Sequence, residues 1–230
     1  MIITALDYNT SAAALDFVDK IDPALTRLKV GKELFTCSGP ALVEQLQKKG
    51  FDVFLDLKFH DIPNTVAGAL SAAASLGVWM VNVHASGGPR MLDAARKAFP
   101  DSNRDGTLLI AVTVLTSMDD AELQSIGVQH SAKDQVQRLT QLSVDHGLDG
   151  VVCSAQEVEQ IRSFVPNSFL TVTPGVRPAD GGVSNDDQRR VMTPLDAIRA
   201  GSNYLVIGRP ITQASNPLEA LQNIYSQIAL

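Results

Sequence analysis

Val53-Phe54-Leu55-Asp56-Leu57-Lys58-Phe59-His60-Asp61-Ile62-Pro63-Asn64-Thr65 begins as an apolar strand and ends in charge. Side chains alternate along a strand, so Val53, Leu55, Leu57 and Phe59 share one face and Phe54, Asp56 and Lys58 share the other. Burying charge is costly unless it is paired or hydrogen-bonded. An acid and a lysine on one face of a core strand are therefore either an ion pair or a catalytic centre. Pro63 ends the strand, and Asn64 or Thr65 is expected to cap the helix that follows.

On either side of this stretch, short apolar runs alternate with longer helical patterns. The strand candidates are Ile2–Leu6, Arg27–Gly31, Val53–Phe59, Met80–His84, Leu108–Thr113, Gly150–Cys153, Leu170–Thr173 and Tyr204–Ile207. Helical patterns cover Ser11–Lys20, Ala41–Lys49, Thr65–Leu76, Gly88–Ala98, Ala132–His146, Gln156–Ser163, Pro194–Ala200 and Pro217–Ile228. Such alternation implies parallel strands joined by crossover helices. Eight pairs in 230 residues predict an α/β chain folded as one (β/α)8 TIM barrel, a single domain over residues 1–230. A doubly wound open sheet is the competing architecture. The missing Gly-x-Gly-x-x-Gly after the first strand counts against a dinucleotide fold.

Composition narrows the function classes. With 45% hydrophobic and 19% charged residues the chain reads as a soluble globular enzyme. Aromatics are only 5%, which leaves Val, Leu, Ile and Ala to fill the core. A net charge of −6 with no basic block argues against nucleic acid or an anionic membrane as partner. A small anion is still compatible, since a local Lys/Arg cluster can oppose the global charge. Cys37 and Cys153 have no metal-like spacing and read as reduced, structural thiols. No apolar run reaches membrane-spanning length, and the opening residues read as a strand rather than a leader. The expected compartment is the cytoplasm.

In a barrel, polar residues at the carboxyl ends of strands gather at one mouth. Asp7, Lys29, Asp56 with Lys58, Asn82 with His84, Thr113 with Thr116, Ser154, Thr173 and Gly208-Arg209 all occupy such positions. Lys29, Asp56, Lys58 and Asp61 together would form an alternating, nearly neutral array of ammoniums and carboxylates. At roughly 4 Å and an effective dielectric near 20, one adjacent pair attracts by about 4 kcal/mol before desolvation is subtracted. A positioned ammonium is a general acid, and a carboxylate beside it repels a negative group bound there. The combination suits loss of a substrate carboxylate and protonation of the carbon left behind. The plain alternative is a buried ion-pair network with no chemistry. Asp56 and Asp61 could also share Mg²⁺.

Two further segments carry signals. In Val206-Ile207-Gly208-Arg209-Pro210-Ile211 the glycine permits close backbone approach and the arginine offers a fork to phosphate oxygens. Loops after the seventh and eighth barrel strands often bind phosphate this way. A turn glycine and a surface arginine would read the same. Residues Gly175 to Arg190 form a long polar loop, either a lid or a solvated surface loop, with Arg177 and Gln188 as the candidate ligand contacts.

Asp56-Leu57-Lys58-Phe59-His60-Asp61-Ile62-Pro63-Asn64-Thr65-Val66 closely resembles the signature of the orotidine 5′-phosphate decarboxylase family. Ala5-Leu6-Asp7, Leu28-Lys29-Val30-Gly31, Val83-His84-Ala85-Ser86-Gly87-Gly88, Val114-Leu115-Thr116-Ser117, Thr173-Pro174-Gly175-Val176-Arg177-Pro178 and Ile207-Gly208-Arg209-Pro210 resemble the bacterial pattern. The resemblance implies a metal- and cofactor-free lyase that converts orotidine 5′-phosphate to uridine 5′-phosphate and CO₂, the last step of de novo uridylate synthesis. It implies Lys58 as the proton donor, Asp56 beside the departing carboxylate, and Asp61 and Lys29 completing the array. Asp7 and Lys29 would contact ribose hydroxyls and Thr116 would lie by the base. Gln188, Gly208 and Arg209 would hold the phosphate, with Arg177 on the closing loop. It further implies a homodimer in which Asp61 and Thr65 reach into the partner's site. The alternatives are a Mg²⁺-dependent keto-sugar-phosphate decarboxylase or aldolase on the same barrel, a Schiff-base aldolase using Lys58, and a non-catalytic nucleotide-binding barrel.

Overall fold

A computed structural model of the chain describes residues 1–99, 106–177 and 192–228. Its eight strands are β1 (Ile2–Leu6), β2 (Arg27–Gly31), β3 (Val53–Phe59), β4 (Met80–His84), β5 (Leu108–Val112), β6 (Gly150–Val152), β7 (Leu170–Thr173) and β8 (Tyr204–Ile207). Every neighbour is parallel, and β1 pairs with β8 to close the barrel. The fold is the (β/α)8 barrel that the alternation predicts. β5 and β6 each end one residue before the expected bound, the usual uncertainty of an element terminus.

The described helices are α1 (Ser11–Val18), α2 (Lys32–Lys48), α3 (Pro63–Ser75), α4 (Pro89–Lys97), α5 (Asp120–Ser125), α6 (Ala132–Asp145), α7 (Val158–Arg162), α8 (Pro194–Arg199), α9 (Arg209–Thr212) and α10 (Pro217–Ile228). Three differ from the sequence reading. α2 runs from Lys32, but Gly39 (φ 61°, ψ −164°) is non-helical and divides it, so a first stretch before Gly39 was not anticipated while the second begins at Pro40, one residue from the expected Ala41. α5 was not anticipated, although Asp119 and Glu122 form a reciprocal capping box at its start. α9 was read as loop. The expected cap on α3 is also corrected: Ile62 holds that position without a side-chain bond, and Pro63 starts the helix. Proline needs no N–H partner there and its fixed φ already suits the first turn.

The alternation read in β3 is the one the barrel uses. Val53 and Leu55 are buried in the apolar layer between sheet and helices, with Leu57 and Phe59 packed against it. Phe54 points the other way and fills the barrel interior with Ile3, Ala5, Met80, Ile110, Val172 and Val206. At the amino end of the strands, Trp79 and Tyr204 meet edge to face with centroids 5.1 Å apart. The Arg27 guanidinium lies 4.3 Å over the Trp79 ring and pairs with Asp52 at 3.0 Å. This polar-capped aromatic floor leaves the carboxyl end of the barrel for the cavity.

Candidate active site

The regular pairing of β3 with β4 fails where the charges sit. Leu55 lies opposite Val81 and Phe59 opposite Val83, so a four-residue step on β3 spans a two-residue step on β4. Bulges of this kind re-aim side chains. Inside it, Lys58 has φ 51°, and among the described residues no other non-glycine has positive φ. Such backbone strain costs on the order of 1–3 kcal/mol and persists only where its surroundings enforce it.

Asp56 is buried at the centre of the resulting cluster. Its Oδ1 accepts from Lys58 Nζ at 2.6 Å and from Asn82 Nδ2 at 2.7 Å. Its Oδ2 faces Lys29 Nζ at 3.4 Å, and Lys29 Nζ also donates to Asp7 Oδ1 at 3.3 Å. Burial pushes the Asp56 carboxyl up, but Lys29, Lys58 and the bonds from Lys58 and Asn82 outweigh it and hold it below the ordinary value. Burial likewise pulls the Lys29 ammonium down, and the charges of Asp56 and Asp7 outweigh it and hold it above the ordinary value. His84 is pushed down to about 4 by burial first, then by His60, Lys32 and Lys58, with Asp56 opposing. At neutral pH it is an uncharged imidazole beside the cluster.

The cluster opens into a cavity of about 580 Å³, a volume typical of small-molecule sites. Of the residues singled out from sequence, Asp7, Lys29, Asp56, Lys58, Thr116, Arg177, Gly208 and Arg209 all line it. Gly208 is tightly placed, since a Cβ there would lie 3.3 Å from Asp7 Oδ2. α9 starts directly after it, with Arg209 as its first residue. Arg177 N–H donates to Met192 O at 3.0 Å, which ties the two feet of the Gly175–Arg190 loop together. Gln188, with the rest of residues 178–191, lies outside the described residues.

Not every expected residue joins the cavity. Asp61 and Thr65 are exposed and do not line it; Asp61 Oδ1 accepts from the backbone N–H of Ile62 at 2.6 Å. Within this one chain the array is therefore Asp7, Lys29, Asp56 and Lys58. Thr113 and Ser154 act locally: the Thr113 hydroxyl donates to Val152 O at 2.8 Å, and Ser154 caps a short 3-10 turn. Sequence reasoning missed Gln213, and missed the apolar walls Val112, Val152 and Val206. Nothing in their local sequence separates these valines from core residues. Among the described residues no group of three or more His, Cys, Asp or Glu is arranged to hold a metal ion. Asp56 already faces two ammoniums and an amide donor, which leaves it balanced and set against a third cation.

An eight-stranded parallel barrel with a lysine–aspartate cluster and an arginine-bearing helix start at one mouth defines a barrel enzyme for a small anionic substrate. The model of the orotidine 5′-phosphate decarboxylase / HUMPS family matches residues 1–224. Orotidine 5′-phosphate decarboxylase from Saccharophagus degradans is 58% identical over 228 residues, covering 99% of this chain and 94% of that protein. The enzyme of the same name from Vibrio campbellii is also 58% identical, covering 99% of this chain and 97% of that one. The crystal structure of orotidine 5′-phosphate decarboxylase from Lactobacillus acidophilus superposes with a TM-score of 0.88 at 35% identity, covering 100% of this chain and 99% of that one. The chain belongs to the orotidine 5′-phosphate decarboxylase / HUMPS family.

Proposed function

We infer that this chain decarboxylates orotidine 5′-phosphate, releasing CO₂ and uridine 5′-phosphate as the closing step of uridylate synthesis. The observation that carries the mechanism is the Lys58 ammonium held 2.6 Å from a buried carboxylate that a second lysine also faces. The substrate carboxylate binds beside Asp56, where like charge disfavours it. Its bond to the pyrimidine ring breaks, CO₂ departs, and the electron pair left on the ring carbon takes a proton from Lys58. Lys29 keeps Asp56 ionised through the cycle. Asp7 and Lys29 hold ribose hydroxyls, Thr116 lies by the base, and Gly208, Arg209 and Gln188 bind the phosphate with Arg177. Phosphate contacts far from the reacting carbon supply binding energy that is realised in the transition state.

We place two such barrels in a homodimer. Asp61 and Thr65 are exposed beside Ile62, itself 68% exposed, and this edge would reach the partner's cavity. No helix among the described residues is long and apolar enough to cross a membrane; we place the enzyme, a single barrel domain needing no cofactor, in the cytoplasm.

The test is the ultraviolet absorbance of orotidine 5′-phosphate mixed with the protein in excess EDTA. Loss of the orotate band with release of CO₂ is expected, and Lys58→Ala should abolish it while leaving a folded protein. Activity that appears only with added Mg²⁺, or only on keto-sugar phosphates, would move the chain to the metal-dependent alternative.

A further inference from the structure

Asn82 is fully buried in β4, at the step where the backbone ladder to β3 is interrupted. Its neighbours Val81 and Val83 belong to the outer apolar layer, while Met80, two residues back, fills the barrel interior. Alternation therefore turns Asn82 inward, toward the bulge. Its amide touches both working residues of β3. Oδ1 accepts from the backbone N–H of Lys58 at 2.8 Å, and Nδ2 donates to Asp56 Oδ1 at 2.7 Å. The two bonds fix each other's sense. A backbone N–H can only donate, so the atom facing it is the oxygen, and the atom facing the carboxylate is the NH₂.

We propose that Asn82 is a positioning residue, whose amide replaces the missing strand ladder, holds Lys58 in its left-handed backbone conformation and sets the Asp56 carboxylate against the Lys58 ammonium. Lys58 stays at φ 51° although lysine lacks glycine's freedom there, so its surroundings must hold it. Without a partner for its N–H, the Lys58 backbone relaxes toward an extended conformation, and the side chain leaves its place beside Asp56. A catalytic group misplaced by about 1 Å loses roughly 100-fold in rate. Asparagine serves where leucine or ionised aspartate cannot, since one atom must accept a hydrogen bond and the other must donate one.

The inference rests on the decarboxylase reading for its kinetic arm and on backbone geometry for the other. Asn82→Leu removes both bonds at similar volume, and Asn82→Asp keeps the acceptor but sets a carboxylate against Asp56. For Asn82→Leu, kcat on orotidine 5′-phosphate should fall about 100-fold with KM changed less than about threefold. The acid limb of its pH–kcat profile should move upward, because Asp56 loses a donor that favours its ionised form. Of the other groups facing Asp56, Lys29 and the uncharged His84 stay in place, and withdrawal of the Lys58 ammonium adds to the same upward shift. A crystal structure of the variant should find Lys58 outside the left-handed region. If Asn82→Leu does not fold, Asn82→Asp carries the test: Lys58 keeps its φ, yet kcat falls and the acid limb still rises. A lowered Tm with kcat and acid limb unchanged would overturn the proposal, as would an unmoved Lys58 in Asn82→Leu. If the wild-type protein leaves orotidine 5′-phosphate intact, the decarboxylase reading fails instead, and the φ of Lys58 in Asn82→Leu decides the positioning role.

Discussion

Replacing Asp56 by asparagine removes one charge and almost no volume, and Asn82 Nδ2 can still donate to the new amide oxygen. What is lost is the anion between two cations. Asp56 lies 2.6 Å from Lys58 Nζ and 3.4 Å from Lys29 Nζ, with only 10% of its side chain exposed. At an effective dielectric near 20 the gross attractions are about 6 and about 5 kcal/mol. Desolvation cancels much of this, and removing one partner of a buried pair costs about 3–5 kcal/mol net. The lower end is expected, since Lys58 is 25% exposed and can recruit water, and Lys29 keeps Asp7 at 3.3 Å. A loss of about 3 kcal/mol lowers Tm by about 6–12 °C in a chain of this size. Urea unfolding of both proteins across pH is the assay. The gap should narrow at alkaline pH, because two ammoniums without a carboxylate between them repel, and one sheds its proton. A variant as stable as the parent at pH 7 would refute the reasoning. It would mean that burying Asp56 already costs as much as its two lysines return.

Three further outcomes follow from the same geometry. His84, held down at about 4 by burial and nearby cations, binds its proton more readily unfolded than folded, so it stabilises above about pH 6.5 and that contribution is lost as pH falls toward 4; His84→Gln should flatten the stability profile across this window, and an unchanged slope would rule the group out. Gly150→Ala sets a Cβ 2.4 Å from the backbone oxygen of Leu170, an atom that cannot yield, so a loss of about 1–3 kcal/mol is expected in urea unfolding, and a neutral variant would show that β6 and β7 can separate. Arg209→Ala should lower kcat/KM for the phosphorylated substrate far more than it lowers stability; unchanged kinetics would remove Arg209 from phosphate binding.

The barrel was legible because each of its strands is a short apolar run set off from a helical pattern, a contrast that survives without any knowledge of contacts. The cluster was legible for a related reason: Asp56 and Lys58 interrupt a run that otherwise belongs to the core. The bulge was not. A register break is a property of two strands together, and neither β3 nor β4 shows it alone. Asn82 consequently read as one more polar strand end, indistinguishable from Thr113, whose hydroxyl only bonds a neighbouring carbonyl. Gly39-Pro40 read correctly as a break, since Gly39 leaves the helical conformation and Pro40 starts the next stretch, but the helical turn before it carried no signal of its own. For Asp61 and Thr65 the difficulty is different again: whatever they touch in an assembly is absent from a single chain's sequence pattern.

The closure of β1 against β8 also bears on how the molecule comes into being. Ile2, Ile3 and Thr4 pair with Leu205, Val206 and Ile207, roughly 200 residues further along. During synthesis at about 5–20 residues per second, that flank of β1 waits roughly 10–40 s for its neighbour. For that interval a nascent chain carries an open, apolar strand edge, the kind of surface on which chains stick to one another. The cavity inherits the same delay, since Asp7 leaves β1 while Gly208 and Arg209 leave β8. Ribosome-bound fragments stopped before Tyr204 should therefore be both inactive and adhesive, which makes the last strand the step at which this chain becomes safe as well as competent.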